Sequence, residues 1–370
     1  MYHFKQGDPT RQAHKGIPQG QFEEEQGEGG FFGPVSHLIK EKPSTRWTHI
    51  EGNLKPRMFD VNKFSHVQTQ DDFRQRMLYN NDVTISYSWM QPSVKPVGIR
   101  NADGDWMYFC HKGSGVVLTE YGLLKFNTGT YICIQKCMTH SFYLDEPSEF
   151  FVIENRTSHF REPDRGILGR HVPYDINAIV TPNLEALNTF MKEKNVDIRE
   201  IRIKHTEEIT KISYDANIFD VKGWKGDLFP FTLHIEHLMP IMSHRAHLPP
   251  SVHSTFIANN FVICTFCPRP LEQDADALKV PFYHQNMDYD EVLFYHAGDF
   301  FSRDNLHAGM MSFHPAGFPH GPHPKAIGKA STRTHTDEYA VMIDTRWPLK
   351  RDPAMESVEL LEYWKSWQKK

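Results

Sequence analysis

The chain has no excess of positive charge: 41 Lys and Arg stand against 46 Asp and Glu, a formal net charge of -5. Without a basic stripe to displace counterions from phosphates, nucleic acid is not an expected partner. Long apolar runs are also missing. No stretch approaches the roughly 18 residues that a membrane-spanning helix requires, and the opening MYHFKQGDPTRQAHKG lacks the apolar core of a signal peptide. A soluble, cytoplasmic protein with no membrane partner is therefore expected. Cysteine is scarce, with Cys110, Cys133, Cys137, Cys264 and Cys267 making an odd total of five. That number argues against a disulfide framework and fits a reducing compartment. Cys264 and Cys267 have the spacing of half a zinc site, but no second such pair exists, and FVICTFCP alternates like a strand. Packing is the expected role of both thiols.

Histidine, by contrast, is abundant. Of the 22 in the chain, many fall between positions 234 and 335, which points to metal or proton chemistry. A length of 370 residues allows two ordinary domains or one large two-lobed β structure. Residues 1–60 are rich in Gly, Pro and charge, as in QGQFEEEQGEGGFFGP, with little periodicity, and read as an extended arm. From residue 84 onward, short runs such as VTISYSWM, GVVLTEY and TYICIQ, broken by Gly, Asn and Asp, predict antiparallel strands. Residues 61–180 form the expected first lobe. Thr181-Pro182 before NLEALNTFMKEKN predicts a helix over 181–199, with Pro182 at its first position, linking the lobes. A second β-rich lobe is expected over 200–345. Over 346–370, Asp352-Pro353 followed by AMESVELLEYWKSWQ, with Val358, Leu361, Tyr363 and Trp364 spaced along it, predicts an amphipathic terminal helix.

The second lobe carries two spaced patterns. The first is His284, Asn286, Glu291 and Gly298; the second is Gly309, Pro315, Gly317 and His320. Together they match the two short motifs of cupin barrels. In each, a strand, a turn and a strand bring side chains of like parity into the barrel, while Gly and Pro hold the turn. The fold class expected is all-β dominated: a bicupin of two double-stranded β-helix (jelly-roll) lobes, with a linking helix and a C-terminal helix. In the commonest pattern position 286 is histidine, whereas here it is Asn286. Two histidines and one carboxylate, His284, His320 and Glu291, leave about three positions open on an octahedral ion, which suits Fe(II) taking a chelating substrate and O2. Asp290 is adjacent to Glu291 and is its rival as a ligand; the spacing to Gly298 favours Glu291. The first lobe shows a decayed copy of the same plan, with Trp106 where the motif Glu belongs and Gln135 and Cys137 in place of Pro and Gly. Only His140 remains at a ligand position. One metal site is expected, in the second lobe.

These motifs and their surroundings resemble the homogentisate 1,2-dioxygenase family. The likeness lies in GQFEEEQGEGGFFGPVSH, RNADGDWMYFCHKGSGVVLTEYGLLKF, FDVKGWKGDLFPF, PFYHQNMDYDE and HPAGFPHGPH. The resemblance implies a two-lobed cupin with one Fe(II), assembled as a homotrimer or a dimer of trimers. It implies an oxidoreductase that adds both atoms of O2 to homogentisate, giving maleylacetoacetate in tyrosine and phenylalanine breakdown. It further implies that His284, Glu291 and His320 hold the iron, that His314 supports them, and that a base lies in Glu236-His237-Leu238-Met239-Pro240. His237 is the base candidate and His234 the alternative. Asn286 and His314 are placed to orient bound groups, and Arg303 to meet a substrate carboxylate; Phe300 stands where the family carries a tyrosine. Other readings remain: a ring-cleaving dioxygenase of another hydroquinone such as gentisate, a metal-dependent cupin isomerase, or a non-catalytic cupin.

Overall fold

Runs such as VTISYSWM and TYICI form strands because their β-branched and aromatic residues suit a pleated, half-buried surface. In the computed structural model, which describes residues 4–64, 74–92, 96–206, 208–279, 281–300, 306–322 and 333–368, these runs are the strands Val83–Met90 and Thr130–Ile134. The chain divides into two compact β units. One comprises Ser65–Leu238 with Lys350–Ala354, the other Met1–Phe64, Met239–Leu349 and Met355–Lys370.

In the first unit, strands Asp105–Lys112, Thr130–Ile134 and Ser148–Asn155 belong to one mainly antiparallel sheet, and Ser114–Thr119, Gly122–Asn127 and His140–Leu144 to another. Side chains of one parity, Trp106, Tyr108, Cys110, Phe150 and Val152, fill its core. Leu184–Lys194 is its α-helix. Asn183 Oδ1 caps it by accepting from Ala186 N at 2.8 Å, so the helix starts after Pro182 and not at it. The helix is not free-standing either, since Leu187 is buried with Leu118, Leu123 and Phe219 of the same unit. The strand Glu200–His205, expected in the metal-binding lobe, instead pairs in parallel with Gly98–Asn101. Backbone pairing, which periodicity does not report, assigns it to this unit.

Trp106 and His140 lie in that core, their rings 5.8 Å apart. The Arg74 guanidinium lies 3.4 Å from the centre of the Trp106 ring, so a cation stacks on the residue that stands at the motif Glu position. His140 Nε2 is 3.1 Å from the Tyr108 hydroxyl. Burial, and next the Arg74 charge, pull the His140 pKa from 6.5 to about 3. A histidine buried neutral stabilises the fold fully above its unfolded pKa, and that contribution is lost as pH falls from 6.5 toward 3. Acid unfolding followed by tryptophan fluorescence is therefore expected to shift to lower pH in His140→Gln, with a stability difference on the order of a few kcal/mol at pH 3. An unchanged midpoint would remove His140 as a source of acid sensitivity.

In the second unit a sheet runs in the order Ser254–Ile257, Phe261–Phe266, His335–Thr345, Asp290–Asp299, Met310–His314 and Arg57–Asp60. A smaller sheet joins Tyr283–Asn286, Phe22–Gly27 and Val35–Lys40. The first sixty residues are thus not simply an extended arm, for they supply strands to both sheets. The segment Glu23-Glu24-Glu25 conceals its strand, because three carboxylates show no apolar alternation, yet all three are buried. Among the described residues of 346–368 the expected amphipathic terminal helix is not an α-helix. Pro353–Val358 and Tyr363–Trp367 are short 3-10 turns. The Leu360 N–H donates to the Met58 carbonyl at 2.8 Å, and Arg57 pairs with Glu359. An N–H committed to a strand edge cannot continue an i to i−4 ladder. No helix among the described residues is long and apolar enough to cross a membrane.

Candidate metal centre

His284 and His320 face each other across a backbone bridge: His284 N donates to His320 O at 2.9 Å, and His320 N to His284 O at 2.8 Å. This brings their ring centres to 4.1 Å. Glu291 lies on Asp290–Asp299, directly opposite His314 on Met310–His314. Gly298 ends that motif with φ +99, where an added Cβ would fall 2.1 Å from Asp337 O. Only glycine fits at this point of the strand.

Each facing histidine turns Nδ1 to a carbonyl, His284 to Phe282 O at 3.2 Å and His320 to Phe318 O at 3.1 Å. A carbonyl accepts only a proton, so Nδ1 carries it and Nε2 keeps its lone pair. Both Nε2 atoms face Glu291 Oε2, at 3.7 Å from His284 and 3.4 Å from His320. The three ligand atoms offered by His284, Glu291 and His320 all lie within 4.8 Å of one another.

The electrostatics suit a cation. Burial alone would raise the Glu291 carboxyl, but the three imidazoles gathered round it, His320 foremost and then His284 and His314, hold its pKa well below the ordinary value. Burial, followed by the His284 charge, lowers the pKa of His320 and favours the neutral imidazole that a metal needs. His314 donates from Nδ1 to Glu291 Oε1 at 2.8 Å, stacks on His320 with ring centres 4.3 Å apart, and meets the Tyr363 hydroxyl at 3.2 Å through Nε2. On the neighbouring strand, Asp344 pairs in register with Glu291. Burial, with the Glu291 charge, drives the Asp344 pKa well up, toward the neutral acid.

Asp290, the rival of Glu291, is committed elsewhere, its carboxylate accepting from Ala316 N at 2.8 Å and Leu349 N at 2.7 Å. Asn286, two residues from His284 on one strand, shares its face. It is 1% exposed, and both its side-chain amide atoms lack a hydrogen-bond partner. Such an orphaned amide beside two imidazoles and a carboxylate suits a bound ion and its remaining ligands. The residues present fit a divalent transition metal with open positions.

A cavity of about 110 Å³ opens onto His284 and Glu291 and is also lined by Phe31, His247, Arg269 and Phe282. Arg269 was not singled out from the sequence, where nothing in CPRPLEQ marks its arginine as functional. It is 6% exposed, its Nη1 has no hydrogen-bond partner, and burial lowers its pKa. His247 is a second such residue, bonded through Nδ1 to Glu272 at 3.1 Å. Arg303 lies outside the described residues. Phe300 packs on Tyr295 in a core cluster, ring centres 5.1 Å apart.

His234 and His237 belong to the other unit. Both ring nitrogens of His234 are occupied: Nδ1 accepts from Glu236 N at 3.2 Å, and Nε2 donates to Thr128 O at 2.9 Å. His237, at the end of the short turn Ile235–His237, has a half-exposed side chain, with Nε2 3.7 Å from Glu236 Oε1.

The family described as homogentisate 1,2-dioxygenase N-terminal matches residues 20–235, more than half of the chain. A Saccharolobus solfataricus protein provisionally described as a dioxygenase is 28% identical over 384 residues, which cover 99% of each chain. The homogentisate 1,2-dioxygenase of Dictyostelium discoideum is 24% identical, over 75% of this chain and 66% of its own. That of Drosophila melanogaster is 26% identical, over 62% of this chain and 53% of its own. The chain thus spans about half to two thirds of those two enzymes. Its match over residues 20–235 identifies this chain as a member of the homogentisate 1,2-dioxygenase family.

Proposed function

We propose that the protein is an Fe(II)-dependent ring-cleaving dioxygenase that takes homogentisate and O2 to maleylacetoacetate. The observation that carries this reading is the convergence of His284, Glu291 and His320, each offering a donor atom within 4.8 Å of the others, at a cavity that also holds the buried cation of Arg269. Two imidazoles and one carboxylate on one face, with other positions free, are the donor set of ferrous oxygenases. Bound there, ferrous iron would supply the redox chemistry that lets O2 react with an aromatic diol.

The chain's own groups then have definite tasks. His314 and the carbonyls of Phe282 and Phe318 hold the donors in their tautomers and orientations. Phe31 and Phe282 give the cavity an aromatic wall, and Asn286 offers an amide to a bound oxygen atom. Diol binding as an anion requires a base, for which an imidazole is suited at neutral pH. His237 is assigned that role, since His234 has no nitrogen to spare. The Arg269 guanidinium meets the substrate carboxylate by charge-assisted hydrogen bonds.

Oxygen consumption by the iron-loaded protein across a panel of hydroquinones tests the reading. Homogentisate is expected to be turned over well, gentisate with its shorter arm poorly, and unsubstituted hydroquinone weakly. Arg269→Leu is expected to raise KM for homogentisate by about tenfold or more, the loss of a charged hydrogen bond of roughly 1.5–3 kcal/mol, with little change for hydroquinone. Equal changes for both would free Arg269 of that role. Gentisate as the better substrate of the unaltered protein would keep ring cleavage and overturn the named reaction.

A further inference from the structure

A second group of metal-ligating side chains lies in the same unit, in residues that neither motif includes. His14, Glu23 and His37 offer ligand atoms all within 4.8 Å of one another. Their convergence has a simple backbone origin. Glu23 and Glu25 are two apart on Phe22–Gly27 and so project from one face, while His37 on Val35–Lys40 pairs in register with Glu25. Glu24 points the other way, to Lys40 at 2.8 Å and Gln26 at 2.9 Å. His14, outside both strands, is tied in by its backbone N–H, which donates to Glu23 Oε1 at 2.9 Å.

The two imidazoles lie between the two carboxylates. On one edge, His14 Nδ1 is 2.8 Å and His37 Nδ1 3.5 Å from the same Glu23 Oε1. Neither contact has hydrogen-bond geometry, and both Nδ1 atoms are buried without a partner. On the other edge, Glu25 Oε2 is 3.4 Å from His14 Nε2, and Oε1 is 4.0 Å from His37 Nε2. Glu25 Oε2, itself buried without a hydrogen-bond partner, thus faces the Nε2 edge, while the Nδ1 edges of both rings face Glu23. A carboxylate behind each imidazole and a carboxylate in front is how proteins orient histidines on a metal. His14, Glu23 and Glu25 are each at most 4% exposed. Two carboxylates in so buried a place call for positive charge; without a metal they hold the His14 pKa up against the pull of burial, at about 9, and a divalent cation would take the place of that proton.

We propose that His14, Glu23 and His37 form a second site for a divalent transition cation of the zinc class, with Glu25 orienting both histidines. Imidazole nitrogens with a carboxylate oxygen suit such an ion, and three protein ligands leave a position for water. The cation ties residue 14 to the hairpin whose inner strand pairs with Tyr283–Asn286, Glu25 lying opposite His284. It is a structural clasp behind the first centre, since Glu25 also lines the cavity.

The test uses the full chain stripped by chelator and titrated with Co(II) alone, reading bound metal and visible absorption. The unaltered protein is expected to take up two equivalents, His320→Ala one and His37→Gln one, while the variant carrying both changes takes up none. Glu23→Gln is expected to behave as His37→Gln. Saturation of the unaltered protein at one equivalent, a count that depends on no variant folding, would overturn the second site. So would two equivalents surviving both His37→Gln and Glu23→Gln.

Discussion

Replacing His320 with alanine is expected to lower bound iron by one equivalent per chain and to reduce homogentisate-dependent oxygen uptake to background. Without its imidazole the centre keeps only His284 and Glu291, 3.7 Å apart, and two donors hold a divalent ion weakly in competition with water. The buried Glu291 would also lose the imidazole that does most to offset its burial. His314→Ala provides the graded comparison. It leaves all three donors in place but removes the 2.8 Å hydrogen bond to Glu291, so metal affinity is expected to fall about 10–100-fold, with binding retained at high iron. Iron analysis after desalting, alongside circular dichroism to verify folding, reads both. An iron equivalent that persists unchanged in folded His320→Ala would show that this residue is not a ligand.

The second large effect is expected at His237. A base is needed while substrate ionises but not for holding iron, so His237→Ala is expected to keep its metal and lose turnover, by about two to four orders of magnitude if the residue is a true general base. His234→Ala serves as the control. Its ring is already bonded at both nitrogens, to Glu236 N and Thr128 O, and its loss is expected to act on local stability, with kcat changed far less. Loss of iron from His237→Ala would move that residue into the coordination shell. A variant with normal turnover would instead leave the proton to another group.

Some of this was readable in advance and some was not, for identifiable reasons. His284, Glu291 and His320 could be named because cupin motifs are local: strand parity and turn glycines fix the spacing along the chain. Glu291 could be preferred to Asp290 by that spacing, but the reason Asp290 is unavailable, its bonds to Ala316 N and Leu349 N, joins it to residues 26 and 59 positions away. The helix at Leu184–Lys194 was visible as a pattern. Its role was not, because burial of Leu187 among Leu118, Leu123 and Phe219 is a matter of which surface it meets. The terminal segment failed as a helix although its apolar spacing allowed one, since the Met58 carbonyl took the Leu360 N–H.

What the sequence by itself determined is the β-rich composition, the two motifs, the decay of the first copy and the family resemblance that follows from them. Only the tertiary structure decided that the first sixty residues enter the sheets of the second unit, that the buried Arg269 lines the cavity, and that His14, Glu23 and His37 meet. Those facts depend on pairings between distant strands, such as Glu25 with His284. Side-chain periodicity records which way a residue faces along its own strand; it carries no information about which strand lies alongside.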